Sequence, residues 1–294
     1  MSATVYRIVG KCLAVIGTLV LAGPVQGQNL GLEGETGLYF TPLAYTVASP
    51  TNNIGKPVFG FHFLAAGDVI GNFSDINVTV GAFNRVEFGY TRDIHSTADN
   101  PELSPLWHSG FNIVHGKANL LRENTGKHDW IPAISVGFLV RSQVHNVGGV
   151  INNKDTTNGD VYVVATKTIV LTKLHGLPLV LDGGIRGTNA EVWGLAGNAT
   201  RFQGRVFGVA GFGLPGPAKS LIILGVEVAQ QPPHPEGQAA AVIPTTITYA
   251  CRIVPPSEHK FNIDVGVAQV ANHILPGVAL HSRSQFGMGI SYAF

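Results

Sequence analysis

The stretch Arg283-Ser284-Gln285-Phe286-Gly287-Met288-Gly289-Ile290-Ser291-Tyr292-Ala293-Phe294 decides the fold. Phe286, Met288, Ile290, Tyr292 and Phe294 alternate with Gln285, Gly287, Gly289, Ser291 and Ala293. Side chains on a strand point to opposite faces with period two, so one face is apolar and the other small or polar. In a soluble sandwich the apolar face meets a second sheet. In a membrane barrel it meets lipid, with aromatics at the water boundary.

The ending Gly289-x-x-Tyr292-x-Phe294 resembles the C-terminal insertion signal of Gram-negative outer-membrane β-barrels. Gly287 departs from that pattern, which usually has a polar residue there. The resemblance implies delivery by the barrel-assembly machinery into outer-membrane lipid.

Composition points the same way. Only 13% of residues are charged, against about 25% in soluble proteins, so much of the surface faces something other than water. Arg7 and Lys11 precede the apolar run Cys12 to Gly23, and Val25-Gln26-Gly27 offers small residues before Gln28. That is a secretory signal over residues 1–27. Without it the chain is near neutral, and no basic patch suggests nucleic acid. Cys251 then has no intramolecular partner. No later apolar run is long enough for a membrane helix.

Residues 28–56 are rich in Gly, Thr, Pro and Asn and show no sustained period. They read as a lead-in segment, a lumen plug or a first strand, the simplest being a loop leading into the barrel. Within them, Gly34-Glu35-Thr36-Gly37 followed by Thr41-Pro42-Leu43-Ala44 resembles the opening of YjbH-like outer-membrane proteins. That resemblance implies a link to exopolysaccharide export.

From Pro57 on, strand-like runs predict about twelve strands, near 57–65, 74–82, 84–93, 109–121, 130–144, 159–171, 177–187, 203–213, 219–231, 242–253, 259–271 and 283–294. Odd-numbered connections are mostly the longer, including 94–108, 145–158 and 188–202, and even ones mostly shorter, as at Phe83-Asn84. Barrels of the outer membrane carry long loops on one side and short turns on the other. The expected fold is therefore all-β: an antiparallel up-and-down transmembrane β-barrel over residues 57–294. On this reading Cys251 shares the lipid face with Tyr249.

The opposite faces then line the lumen, with Asp75, Arg85, Glu87, His115, Lys117, Arg141, Asp182, Arg186, Glu227, Arg252 and Asp264 as candidates. Phe111 and Ile113 fall on the same face as His115 and Lys117. Mixed signs suit a network of ion pairs or a selective pore lining. No His-Glu-x-x-His, Cys-x-x-Cys or Gly-x-Ser-x-Gly occurs, so the residues call for no catalytic group, metal or cofactor. The oxygen-rich run 152–160 reads as a turn rather than a calcium loop. Trp107, Trp130 and Trp193 fall near predicted strand ends or loops, where they read either as interface-girdle residues or as simple loop packing. The function expected is a narrow porin-like channel for an unspecified small solute. One alternative is a non-conducting barrel acting through its external loops, and a second is a lipid-modifying enzyme.

Overall fold

The computed structural model describes residues 29–66, 71–96, 110–143, 157–191, 193–194, 197–232, 245–256, 260–270, 273–275, 278–280 and 285–294. Residues 1–27, where a signal is expected, Trp107 and most of run 152–160 lie outside the described residues. The strands are Ile54–Ala65 (β1), Asn72–Ala82 (β2), Val86–Ser96 (β3), Phe111–Leu121 (β4), Ala133–Gln143 (β5), Asn158–Leu171 (β6) and Leu177–Glu191 (β7). They continue with Gly197–Pro215 (β8), Leu221–Gln230 (β9), Thr245–Val254 (β10), Phe261–Val270 (β11) and Gln285–Ala293 (β14). A hairpin, His273–Leu275 (β12) with Val278–Leu280 (β13), interrupts the last connection.

Among the described residues, twelve strands pair antiparallel with their sequence neighbours, and β1 closes on β14 to make a barrel. The closing register sets Phe59 opposite Tyr292 and Phe63 opposite Met288. Closure satisfies every strand edge, which a strand surrounded by lipid requires.

Burial follows the period of two, inverted relative to a soluble protein. Ile76, Phe88, Val114, Phe138, Val163, Ile185, Val206 and Met288 point outward and are exposed. His62, Asn77, Glu87, Thr91, Ser135 and Thr166 point inward and are fully buried. The outer face is oily, and the buried polar and charged side chains of the strands point inward.

Connections at one end are short. The turn Phe83-Asn84-Arg85 takes positive φ at Phe83 and Asn84, the twist that two-residue hairpins favour. At the other end the links run over 97–110, 144–157 and 231–244. The long link expected at 188–202 is not there: β7 and β8 extend until only residues 192–196 separate them.

Residues 29–48 are neither a first strand nor a leader outside the barrel. They fold into the bore, with Leu30, Ala44 and Val47 fully buried. At the short-turn end, Asn262 Nδ2 donates to Asn29 Oδ1 and the amide of Asn84 donates to Ser49 Oγ. The segment therefore enters and leaves by the same mouth.

Cys251 lies between inward Ala250 and Arg252, on the face of exposed Tyr249. In proteoliposomes a membrane-permeant thiol reagent is expected to label it and a charged, impermeant one to leave it unmodified. Labelling by the charged reagent would place this face of β10 inside.

Candidate functional site

The segment in the bore makes part of its own scaffold. Leu32 N donates to Tyr39 O, Leu38 N to Thr41 O and Leu43 N to Thr36 O. Gly34 has a φ of +91°, and a Cβ there would lie 2.5 Å from Thr91 Oγ1. A glycine at this bend is needed both for its conformation and for its closeness to the wall.

Other backbone groups of the segment are taken up by side chains of the wall, as buried amides and carbonyls require. Glu227 on β9 accepts from the amides of Tyr39 at 2.7 Å, Phe40 at 3.0 Å and Thr41 at 3.2 Å, and from Thr41 Oγ1 at 2.8 Å. Glu87 on β3 accepts from Thr36 N, Thr36 Oγ1 and Val47 N. Lys117 on β4 pairs with Glu87 at 2.9 Å and donates to the carbonyls of Thr36 and Leu43. Arg252 on β10 pairs with Asp264 on β11 and donates to the carbonyls of Gly37 and Leu38. Arg141 on β5 binds Glu33 with two nitrogens and Asp160 at 2.8 Å.

These residues account for most of the lumen positions expected from sequence. Asp182 accepts from Thr166 Oγ1, and His115 Nε2 lies 3.3 Å from Thr79 Oγ1. Asp75 is buried opposite Asp93, its cross-strand partner. Arg186 donates through Nη2 to Gln230 O and Gln231 Oε1. Arg85 stands apart: it lies in the β2–β3 turn, where it donates to Asn119 and Leu120 at the rim. The alternation was extended one residue too far into that turn. Gly289 faces inward against His62, while Tyr292 and Phe294 face outward.

Sequence reading missed Glu33, Glu35, Asp93 and Asp160. Asp93 shares the parity of Glu87 and Thr91 and was legible on that ground. Glu33 and Glu35 sit in an aperiodic segment and gave no signal. Trp193 is no interface residue: it folds into the long-loop mouth and stacks on Phe40, with ring centroids 4.1 Å apart. The Arg186 guanidinium lies 5.9 Å from the Trp193 ring centre, on the scale of a cation–π contact. Phe111 and Ile113 face inward with Phe73, Leu139, Val164 and Phe207, around Leu32, Leu38 and Phe40 of the segment. The bore thus holds a small hydrophobic core.

Such a molecule is a transmembrane β-barrel of the outer-membrane type, with its lumen filled by its own N-terminal segment. The chain belongs to the family described as Protein of unknown function (DUF3034), which matches residues 30–242, from the segment through β9. No curated protein matches it. Among solved structures it is similar to the NanC porin, at 10% identity and a TM-score of 0.50, covering 81% of this chain and 100% of that one. It is also similar to the KdgM porin, at 10% identity and a TM-score of 0.45, covering 81% and 99%. A third is the COG4313 outer membrane channel from Pseudomonas putida F1, at 10% identity and a TM-score of 0.43, covering 84% and 97%. At these identities the likeness concerns the fold.

Two tests follow from the fit. A Cβ on Gly287 would lie 2.0 Å from Tyr39 Oη, the hydroxyl that donates to Phe63 O. G287A is expected to destabilise the barrel by about 1–3 kcal/mol through overpacking, and Y39A to relieve the clash. The temperature of the gel-mobility shift on heating measures both.

Glu35, in the segment, is buried and accepts from Tyr162 at 2.7 Å. Burial pushes its carboxyl up to about 8; Glu33 and Glu87 add to the rise, and Lys117 and the Tyr162 hydroxyl oppose it. A folded-state value above the unfolded one gives stability that is full below the ordinary glutamate range and is lost as pH rises through about 8. The unfolding temperature is expected to fall across that window, and E35Q to flatten the fall.

Proposed function

We propose that the protein is an outer-membrane channel for small solutes, held shut at rest by residues 29–48. The observation that carries this reading is the manner of closure. The wall grips the segment through side-chain hydrogen bonds and ion pairs, with no covalent cross-link among the described residues beyond the chain itself running on into β1. The closing element can therefore leave the bore while staying tethered to the barrel. Strand number, closure and the inward polar faces supply a pore wall once the segment moves. The resemblance of Gly34 to Ala44 to the opening of YjbH-like proteins supports a link to envelope polysaccharide. A bore of twelve strands is narrow for a polymer, which favours small solutes as the cargo.

A second reading rests on a different observation. The apolar cluster of Phe73, Phe111, Ile113 and Phe207 against Leu38 and Phe40 is what a permanent core needs and what a water-filled pore lacks. On that reading the barrel is non-conducting and acts through its external connections.

Conductance in a planar bilayer separates the two. The chain without its signal is expected to be quiet or to open rarely, and a version lacking residues 29–47 to conduct steadily. Silence from both, with heat-modifiable migration showing that both are folded, would remove the channel reading.

A further inference from the structure

The turn Leu38 to Thr41 presents three successive backbone N–H groups and a hydroxyl to one carboxylate, that of Glu227. Successive amides curled around a point make an anion-binding concavity whichever carboxylate fills it. Here the concavity belongs to the movable segment and the carboxylate to the fixed wall.

A second observation lies beside it. Phe40, inside this turn, stacks on Trp193 at the long-loop mouth. Trp193 Nε1 and Arg186 Nε are both buried, and neither has a hydrogen-bond acceptor among the described residues. The Arg186 guanidinium carbon lies over the Trp193 ring. Two neighbouring buried donors without acceptors are a costly arrangement in a protein interior and a welcoming one for an anion. Asp160, whose Oδ1 also lacks a partner, and Glu33 and Glu35 lie within electrostatic reach of Arg186, as does Arg141, and together they limit the net positive charge there.

We propose that the Leu38 to Thr41 turn is a carboxylate-binding site, occupied at rest by Glu227 and exchanged for the carboxylate of a small anionic solute that arrives past Arg186 and Trp193. This rests on the channel reading and names its solute class. Exchange frees the segment from β9 and is the opening step. Noncovalent binding alone is involved: one carboxylate leaves the amides and another takes its place.

The test uses the chain without its signal in a planar bilayer. E227A removes the resident carboxylate and leaves the amides. Its open probability is expected to exceed that of the parent by at least about tenfold, the scale of one lost charge-assisted hydrogen bond. In E227A the deleted side chain leaves room for a free carboxylate between the turn and the wall. Sodium acetate is therefore expected to satisfy the amides with the segment still docked and to close this variant, while sodium chloride at equal ionic strength does not. In the parent, sodium lactate is expected to raise open probability where glycerol in matched sodium chloride leaves it unchanged. E227Q keeps the side-chain volume and is expected to open in the same direction to a smaller extent, which covers a failure of E227A to fold.

Closed E227A and E227Q, alongside a conducting version lacking residues 29–47, would overturn the proposal. So would an acetate effect no larger than that of chloride, or equal responses to lactate and glycerol. If no version conducts, the channel reading fails and the site is judged by heat stability alone. Acetate should then raise the unfolding temperature of E227A and not that of the parent, and an equal effect on both would remove the site as well.

Discussion

The structure depends on one constraint: a segment with little regular structure of its own is buried inside a closed sheet, and its backbone must still find partners. The strands cannot supply them, because their amides are spent on closure. Wall side chains do so instead. Glu227 collects three amides of one turn, Glu87 collects two from distant parts of the segment, and Lys117 and Arg252 take five carbonyls between them. This explains why a bore of this size holds charges of both signs. Acids are placed where the segment offers N–H groups, and bases where it offers oxygens. The ion pairs Lys117–Glu87 and Arg252–Asp264 balance part of the buried charge that this leaves, while Glu227 is held by hydrogen bonds from the turn.

The interior mixes the two kinds of contact at both ends. Toward the short turns, polar contacts at Asn29, Arg252 and Glu87 stand with an apolar cluster of Leu30, Val47 and Val58. Toward the long loops, Leu32, Phe40, Phe111, Ile113 and Trp193 pack in the same region as the ion pairs of Arg141 with Glu33 and Asp160. The barrel is therefore inverted only in part: oily outside, and both polar and apolar within. Apolar burial of that kind gives affinity without direction, and the carboxylate contacts supply the direction.

Much of the barrel was legible in the sequence, because strands exposed to lipid on one face obey a strict period. Ile263-Asp264-Val265 and Val86-Glu87-Phe88 place their charges inward on that ground alone. Two things blurred it. Phe111 and Ile113 share a face with His115 and Lys117, which contradicts a simple oily-out rule, and only the presence of Leu32 and Phe40 inside the bore resolves the conflict. Gly287 departs from the usual closing pattern of such chains because the ring and hydroxyl of Tyr39 fill the space that a side chain would need. The fate of residues 29–48 was not legible. Their partners lie from 24 to more than 200 positions away, and no local period records contacts of that range. Glu227 could be assigned to the inner face, but its role belongs to a turn that carries no hydropathy signal.

Tyr39 has one further consequence. Its hydroxyl donates to Phe63 O on β1, and its ring lies against Gly287 on β14, the two strands that meet to close the cylinder. It is a strut across the seam. Strand β1 follows the segment immediately in the chain and β14 is the barrel strand farthest from it in sequence, so the seam is the strand pairing of longest sequence separation and the costliest loop to close. A side chain that touches both edges rewards that closure only once it is in position. Zipping the sheet and loading its interior are thus coupled during biogenesis, and an empty cylinder lacks part of its own fastening.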